Sequence, residues 1–165
     1  NQLWVCDITY IYTIDDKFCY LHLVTDAFSR MVIGYVLAPT LEAKYTIEAL
    51  QQAISHAGSG NLCGTIHHSD RGVQYCCDEY ITLLKEHHIR ISMTEDSNPT
   101  DNGMAERVNG IIKNEFLEPL QTPKNLLEAL PLVDHAVRTY NTLRPHLNLN
   151  MRTPAQVYEG KQIIL

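Results

Sequence analysis

The sequence predicts one α/β domain, built on a mixed five-stranded sheet with helices on both faces. Two patterns support this fold class. Three successive segments rich in aromatic and β-branched residues are separated only by short turns, which predicts an antiparallel meander within residues 3–38. Beyond that point helical and strand-like segments alternate, which is typical of a sheet covered by helices on both sides.

The meander is followed by a change from strand to helix periodicity. Its strands are predicted at residues 3–12, 18–25 and 31–38. Apolar residues from Ala43 to Ala57 then recur at helical spacing. Thr40 is the expected N-cap of this helix and Gly58 its expected stop.

The remaining elements continue this alternation. In order they are a strand over 63–68, a helix near 78–88, a strand near 89–93, a helix over about 103–118 capped by Asp101 or Asn102, and a helix over about 124–142. Pro131 is expected to kink the last of these or to divide it in two. Thr153-Pro154 begins a short terminal helix. This element order is that of the ribonuclease H-like fold, an analogy of pattern that does not by itself give a function.

Two segments are predicted to lie outside this regular framework. The polar, turn-rich loop 94–102 is expected to be mobile without DNA. A tail over about 143–165 is expected to pack on the core or to be extended. Residues 1–165 as a whole are predicted to form a single domain, because no internal linker or repeat is visible.

The composition is that of an ordered globular protein, with 45% hydrophobic and 19% charged residues among 165. There is no apolar run of 18 residues and no leader, so neither a membrane span nor a secretion signal is expected. Five cysteines without a framework spacing favour free thiols in a reducing cytoplasm. The chain begins at Asn1 with residues that already read as a strand, so a piece of a longer protein is expected.

The net charge of −6 counts against a simple nucleic-acid-binding module. Two explanations remain open on charge alone. Either the acidic residues are concentrated in a metal site while the main DNA-binding segments lie elsewhere in a longer protein, or the protein does not bind DNA.

Three carboxylates stand out by their placement. Asp7 lies within the first strand, where a buried carboxylate requires a partner. Asp70 follows the fourth strand at its carboxyl end, where open α/β sheets commonly build their sites. Glu106 lies in the first turn of its helix and shares a face with Asn109 and Lys113. Each acid alone has an ordinary structural explanation, but their joint placement predicts a catalytic triad.

The residue types favour a metal site for divalent ions. Mg²⁺ or Mn²⁺ binds carboxylate oxygens, and two such ions about 3.5–4 Å apart can serve the attacking and leaving oxygens of an in-line displacement. Three acids from three elements suffice to hold such a pair, which makes Asp7, Asp70 and Glu106 both the catalytic and the metal-binding residues. The glutamate helix and its start also offer candidate DNA contacts, namely Lys113, Asn109, Arg107 and Asn102.

Other histidine, cysteine, tyrosine and arginine side chains are predicted to have structural roles. A zinc site is not expected from His67, His68, Cys63, Cys76 and Cys77, because the spacing is wrong and strand alternation points the two histidines to opposite faces. A group of strand tyrosines is expected to form core and cross-strand pairs rather than a base-stacking platform: Tyr10, Tyr12, Tyr20 and Tyr35. Arg144 and His146 either contact DNA or brace the last helix, and bracing is favoured.

The motifs around these acids resemble those of the integrase-like transposases of bacterial insertion sequences, whose cores are similar to retroviral integrase. Between Asp70 and Glu106 lie 35 residues, the spacing of a D-D-35-E enzyme. The resembling segments are Trp4-Val5-Cys6-Asp7-Ile8-Thr9-Tyr10, Thr25-Asp26-Ala27-Phe28-Ser29-Arg30, His68-Ser69-Asp70-Arg71-Gly72-Val73-Gln74-Tyr75, Asn98-Pro99-Thr100-Asp101-Asn102 with Lys113-Asn114-Glu115, and the closing signature Tyr140-Asn141, Arg144-Pro145-His146 and Thr153-Pro154.

The resemblance implies a metal-dependent polynucleotidyl transferase. It would nick DNA at the element end and use the exposed 3′-hydroxyl to attack a target phosphodiester. It further implies transposon-end and target DNA as partners, a homodimer or higher oligomer on DNA, an end-recognising helix-turn-helix region outside this chain, and a location in the bacterial cytoplasm, at the nucleoid when bound. Two alternatives are a simple ribonuclease H-like nuclease and a domesticated scaffold or DNA-binding domain without catalysis.

Overall fold

A computed structural model describes residues 1–58, 62–94 and 102–160. In these residues five strands and five of the six α-helices follow the predicted order, and the short helix at Val73–Cys76 was not predicted. The elements are β1 (Leu3–Thr13), β2 (Lys17–Asp26), β3 (Val32–Ala38), α1 (Ala43–Ala57), β4 (Ile66–Ser69), α2 (Val73–Cys76), α3 (Asp78–Glu86), β5 (Arg90–Met93), α4 (Gly103–Ile111), α5 (Leu126–Thr142) and α6 (Pro154–Gly160). A π-helical segment, Ile112–Leu117, continues α4, and a 3₁₀ turn, Leu147–Leu149, precedes α6.

The five strands form one mixed sheet in the order β3-β2-β1-β4-β5. The first three strands pair antiparallel, as the short turns predicted. Strand β1 also pairs with β4, and β4 with β5, both in parallel. The central strand β1 therefore joins the meander to the parallel half of the sheet, and the predicted mixed sheet is confirmed.

Helices cover both faces of this sheet, each over its own apolar core. On one face α1 and α3 pack on strand residues around Trp4, which is fully buried. On the other face α5 and the α4 region pack around Leu21 and Val133. Burial on both faces explains why most positions of β2 are apolar rather than alternating.

Helix α1 approaches β3 more closely than any side chain would allow. A Cβ atom built on Gly34 would lie 2.1 Å from the carbonyl oxygen of Ala49 and 2.8 Å from the amide nitrogen of Ala53. The helix backbone therefore rests directly on the strand backbone at Gly34, and the small residues of α1 at this point make the contact possible.

The closing signature clamps α5 onto the edge of the meander. The side-chain amide of Asn141 makes two hydrogen bonds with the backbone of Val32, at 3.0 and 2.9 Å, while the Tyr140 hydroxyl donates to the carbonyl oxygen of Arg30 at 2.9 Å. Arg144 donates twice to the carboxylate of Glu115, at 2.6 Å each. The predicted bracing role of Arg144 is thus confirmed.

The terminal helix α6 begins as predicted. Pro154 occupies its first position, and Thr153 forms a capping box with Gln156: the Gln156 backbone N–H donates to the Thr153 hydroxyl, and the Thr153 N–H donates to the Gln156 side chain. Between α5 and α6 the His146 ring meets Tyr140 edge-on and Leu149 is buried, whereas Leu143 and Leu147 are exposed. No helix in the described ranges is both long and apolar enough to cross a membrane.

Three boundary predictions are wrong. Thr40 does not cap α1; its hydroxyl donates to the Glu42 carboxylate, and Glu42 is the residue that precedes the helix. Strand β4 begins at Ile66 rather than residue 63, because Gly64 has a φ of 87° and turns the chain there. Cys63 consequently lies exposed in a turn and not in a strand.

Pro131 does not divide the last long helix. Helix α5 is continuous across it, and its N-cap Asn125 accepts a hydrogen bond from the Glu128 backbone N–H at 3.2 Å. Pro131 and Leu127 both lie on the exposed side of the helix. Water can therefore hydrate the carbonyl that the proline leaves without its intrahelical donor.

The predicted helix over 103–118 is an α-helix only to Ile111. The π-helical segment that follows has a wider turn, so residues beyond Ile112 no longer keep the 100° spacing on which the common face of Glu106 and Lys113 was predicted. Asn102 precedes α4 but its side chain does not cap it. The other predicted cap, Asp101, and the loop 94–102 apart from its two end residues lie outside the described residues.

Candidate active site

Two of the three predicted acids come from neighbouring parallel strands. In the β1–β4 ladder Val5 pairs with His68, and continuing this register by two residues places Asp70 beside Asp7. Both acids line a cleft of about 230 Å³ at the carboxyl end of β4, together with Tyr10, Gln74 and Tyr75. The parallel half of the sheet therefore brings these carboxylates to one place.

The turn after β4 holds the Asp70 carboxylate in position. The backbone N–H of Gly72 donates to one oxygen of Asp70 at 2.9 Å. A Cβ atom on Gly72 would lie 2.9 Å from the same oxygen, so a larger residue would displace it. The side chain of Arg71 donates to the Thr94 carbonyl at 2.9 Å and ties the turn to the end of β5.

Helix α4 is attached to β1 by two asparagine side chains on either side of Glu106. The amide of Asn102 donates to the Cys6 carbonyl at 3.0 Å, and the amide of Asn109 donates to the Asp7 carboxylate at 2.7 Å. Both asparagines are buried, whereas Glu106 is exposed. The two bonds fix the helix that carries Glu106 against the strand that carries Asp7.

The three acids also influence one another electrostatically. The pKa of Asp7 is raised to about 6, chiefly by burial and also by the charges of Asp70 and Glu106, while hydrogen bonds from the Ile8 backbone and Asn109 oppose the rise. Within the described part of the chain, however, no three His, Cys, Asp or Glu side chains stand together as a complete metal site. The structure thus pairs Asp7 with Asp70 and places Glu106 within electrostatic range of them.

The raised pKa predicts that Asp7→Asn stabilises the protein at pH 7. A carboxyl whose pKa rises on folding favours the folded state only while protonated, so this contribution is lost as pH rises from about 4 through about 6. Without metal, we expect the variant to gain about 3 kcal/mol in the free energy of unfolding at pH 7 and almost nothing at pH 4. The Asn109 amide can still donate to the new side chain.

This expectation is tested by denaturant unfolding in EDTA between pH 4 and pH 7. Asp15→Asn, in the exposed β1–β2 turn, is the matched control and should leave the pH profile unchanged. If Asp7→Asn is no more stable than the wild type at pH 7, burial does not destabilise the ionised Asp7 carboxylate.

The four predicted DNA-contact residues lie in different surroundings. Lys113 lines a separate cavity of about 380 Å³ with Tyr10, Tyr12 and Leu117. Arg107 is exposed on the side of α4 turned away from Asp7. The remaining two, Asn102 and Asn109, use their amide groups on the protein itself, as described above.

The residues predicted to be structural have protein partners. His67 is fully buried and hydrogen-bonded to the Tyr80 hydroxyl at 2.7 Å, and burial lowers its pKa to about 4. His68 instead contacts the Ser92 hydroxyl at 2.9 Å, on the neighbouring strand. The opposite orientation of the two histidines was predicted by strand alternation, and their different partners agree with it.

The strand aromatics form cross-strand pairs, as predicted, but not all are in the core. Tyr10 pairs with Tyr20 in the ladder, and Tyr12 with Phe18, all meeting neighbours edge-on. Tyr10 and Tyr12 are nevertheless 49% and 52% exposed. The core assignment is wrong for these two because they lie at the outer end of the β1–β2 hairpin, beyond the reach of α1.

Two cleft residues were not singled out from the sequence. The Gln74 side chain donates to the Leu41 carbonyl at 3.0 Å, joining the turn after Asp70 to the start of α1, and Tyr75 forms the buried floor. Their place in the cleft could have been inferred from the sequence, because Gln74 and Tyr75 follow Asp70 by four and five residues in the same motif. The supporting role of Asn109 toward Asp7 was signalled only by its place one turn after Glu106.

Comparison with protein-family models gives two matches to the integrase core domain. One model covers residues 1–99, and a second covers residues 87–154. Together they include all three acids of the candidate site and the whole of the closing signature.

Individual proteins similar to this chain are transposases and integrases. A putative transposase for insertion sequence element IS986/IS6110 from Mycobacterium tuberculosis (strain ATCC 25177 / H37Ra) is 37% identical over 72% of this chain and 44% of that protein. Transposase InsF for insertion sequence IS3A from Escherichia coli (strain K12) is 32% identical over 99% of this chain and 55% of that protein. This chain thus spans about half the length of these curated relatives.

A solved structure with the same fold is the HTLV-2 integrase catalytic core domain in complex with magnesium, in its dimeric form. It is 28% identical, with a TM-score of 0.73 over 96% of both chains. The match extends over nearly the whole of each chain, and the ribonuclease H-like fold class predicted from the element order is confirmed.

Proposed function

Since this chain belongs to the integrase core domain family, we propose that it is the catalytic core of an insertion-sequence transposase, cutting and joining DNA strands by metal-dependent transesterification. The observation that carries the proposal is the parallel register that sets Asp70 beside Asp7, with α4 and Glu106 fixed against the same strand. A fold of this kind hosts many functions, so the site and not the fold supports the conclusion.

The donor set fits a divalent cation. Carboxylate oxygens are the ligands that Mg²⁺ and Mn²⁺ prefer, and Asp7 is a partly buried carboxylate whose pKa is raised by burial and by two neighbouring acids. A bound cation would offset that repulsion. When bound, Mg²⁺ or Mn²⁺ supplies positive charge to the attacking and leaving oxygens of the phosphodiester, and we propose two ions in the active complex.

Each side chain of the site has a distinct role in this proposal. Asp7 and Asp70 are the primary ligands, and Glu106 completes the set from the first turn of α4. The Asn109 amide aligns the Asp7 carboxylate, and the Gly72 N–H occupies one oxygen of Asp70 and leaves the other for the cation. Asn102 and Asn109 are therefore proposed as positioning residues.

DNA is the proposed substrate, both as element end and as target. Lys113 and Arg107 remain the proposed phosphate contacts, because Arg107 is a cation on α4 itself and Lys113 is a cation on its π-helical continuation. Joining two element ends to one target requires at least two active sites, so we propose a dimer or higher oligomer on DNA. We further propose that this chain acts on DNA in the bacterial cytoplasm, at the nucleoid when bound, because the relatives it matches are transposases of bacterial insertion sequences.

The proposal is tested with a branched DNA in which a 3′-hydroxyl already lies beside the phosphodiester to be attacked. Transesterification exchanges one phosphodiester for another, so the core alone can be assayed without end recognition. We expect Mn²⁺-dependent resolution of the branch into a continuous strand. The same DNA ending in a 3′-deoxynucleotide is the control and should not be joined.

The two alternatives predict other products. Hydrolysis of the branched DNA without joining would identify a simple nuclease. Absence of both reactions, together with absence of Mn²⁺ binding by calorimetry, would identify a non-catalytic scaffold. Either result overturns the transferase proposal.

A further inference from the structure

We propose a second DNA-phosphate site in the cleft lined by Arg30, Arg107, Arg144 and His146, which we call the arginine cleft. It has a volume of about 260 Å³ and lies on the side of α4 away from Asp7. This inference rests on the proposed function, because it names where the same DNA strand is held beyond the catalytic acids.

The arginine cleft concentrates positive charge in an acidic chain. Its three arginines come from three separate elements: the β2–β3 turn, α4 and the segment after α5. No carboxylate belongs to the lining of the cleft within the described ranges. Because the chain as a whole carries a net charge of −6, this convergence marks a local surface suited to an anion.

Two of these arginines have guanidinium groups that are not engaged by the protein. Neither Arg30 nor Arg107 forms a side-chain hydrogen bond or ion pair with any residue in the described parts of the chain. Arg30 has a φ of 65°, a conformation in which glycine would be less strained, and its backbone is fixed by Asp26 and by the Tyr140 hydroxyl. The strained position therefore presents a free cationic side chain from a rigid turn.

The other two residues form the wall of the cleft. Arg144 is held by its two hydrogen bonds to Glu115, so its role is to brace rather than to bind. His146 packs edge-on against Tyr140, and its Nε2 is buried without a hydrogen-bond partner among the described residues. Burial lowers the pKa of His146, and the charges of Arg144 and Arg30 add to this effect while the charge of Glu115 opposes it.

The position of the cleft indicates which part of the DNA it would hold. Arg107 and Ile111 face the cleft, whereas Asn109 faces Asp7, so α4 separates the two sites. The captured phosphate would thus lie beyond α4 from the catalytic acids and belong to a nucleotide flanking the cut. Guanidinium groups match the planar, bidentate geometry of a phosphate.

The test compares the double variant Arg30→Gln/Arg107→Gln with Arg90→Gln, an exposed arginine at the opposite end of the sheet. DNA binding is measured without metal as a function of salt. We expect the double variant to bind about tenfold or more weakly at 0.1 M salt and to lose about 1–2 from the salt slope, while Arg90→Gln keeps the wild-type slope. An unchanged slope in the double variant would overturn the inference.

A methylphosphonate scan locates the contact. At one phosphate flanking the cut, neutralisation should weaken wild-type binding and have no further effect on the double variant; equal penalties in both proteins at every phosphate would contradict the assignment. The single variant Arg107→Gln, at an exposed helical position, repeats the measurement with little risk to folding. Branch resolution by the wild type is measured separately. If the proposed function is wrong, the wild type does not join the branched DNA. If only this inference is wrong, the wild type joins it and the double variant keeps the wild-type salt dependence of DNA binding.

Discussion

Asp70→Asn is expected to abolish metal-dependent cleavage and joining, by about a thousandfold or more, while the protein remains folded. The carboxylate keeps one oxygen on the Gly72 N–H and has the other available for a cation beside Asp7. The amide of asparagine carries no charge and binds a cation weakly. We therefore expect a large decrease in the reaction rate and only a small change in the free energy of unfolding. Asp70 is exposed, so its substitution disturbs no core packing.

The matched control is Asp78→Asn, an equally exposed aspartate at the start of α3. It should retain branch resolution at the wild-type rate. Mn²⁺ titration by calorimetry gives a second readout, in which Asp70→Asn should bind at least tenfold more weakly than Asp78→Asn. Equal activity and equal Mn²⁺ affinity in the two variants would remove Asp70 from the catalytic set.

Gly34→Ala is expected to have the largest effect on stability. The added methyl group would meet backbone atoms of α1 at 2.1 and 2.8 Å, which are not the flexible ends of side chains. Helix α1 must therefore shift away from β3 and loosen the core around Trp4. We expect a loss of about 3 kcal/mol in the free energy of unfolding and a decrease of about 10 °C in the melting temperature.

The control is the same substitution at Gly110, where a Cβ atom has no neighbour within 4 Å. Because Gly110 lies inside α4, alanine there should raise the free energy of unfolding by about 1 kcal/mol. Thermal and urea unfolding of both variants measure the difference. A Gly34→Ala protein as stable as the Gly110→Ala protein would show that α1 is not held against β3 at this distance.

Much of this architecture was predictable because it depends on local patterns. The aromatic and β-branched runs with short turns determine the meander, and the period change after Pro39 determines α1. The position of Asp70 at the end of β4 was visible in the sequence, but its pairing with Asp7 depends on the β1–β4 register. That register is a tertiary property, and it follows from which apolar side chains each face buries.

The supporting contacts of the site could not be predicted for the same reason. Asn102 and Asn109 read as polar helix residues able to reach DNA, and only the packing of α4 on β1 shows that their amides serve Cys6 and Asp7. The π-helical segment after Ile111 could not be predicted either. It is only six residues long, which is too short for its wider turn to change the spacing of apolar residues in the sequence.

The clamp between α5 and β3 links residues 109 positions apart in the chain, Val32 and Asn141. All five strands are complete by Met93, so on a ribosome the whole sheet emerges before the helix that covers its second face. During that interval apolar strand residues such as Leu21 and Leu23 remain open to water and to other nascent chains. Safe synthesis of the domain therefore depends on how quickly translation supplies α5, or on a chaperone that shields the sheet until it arrives.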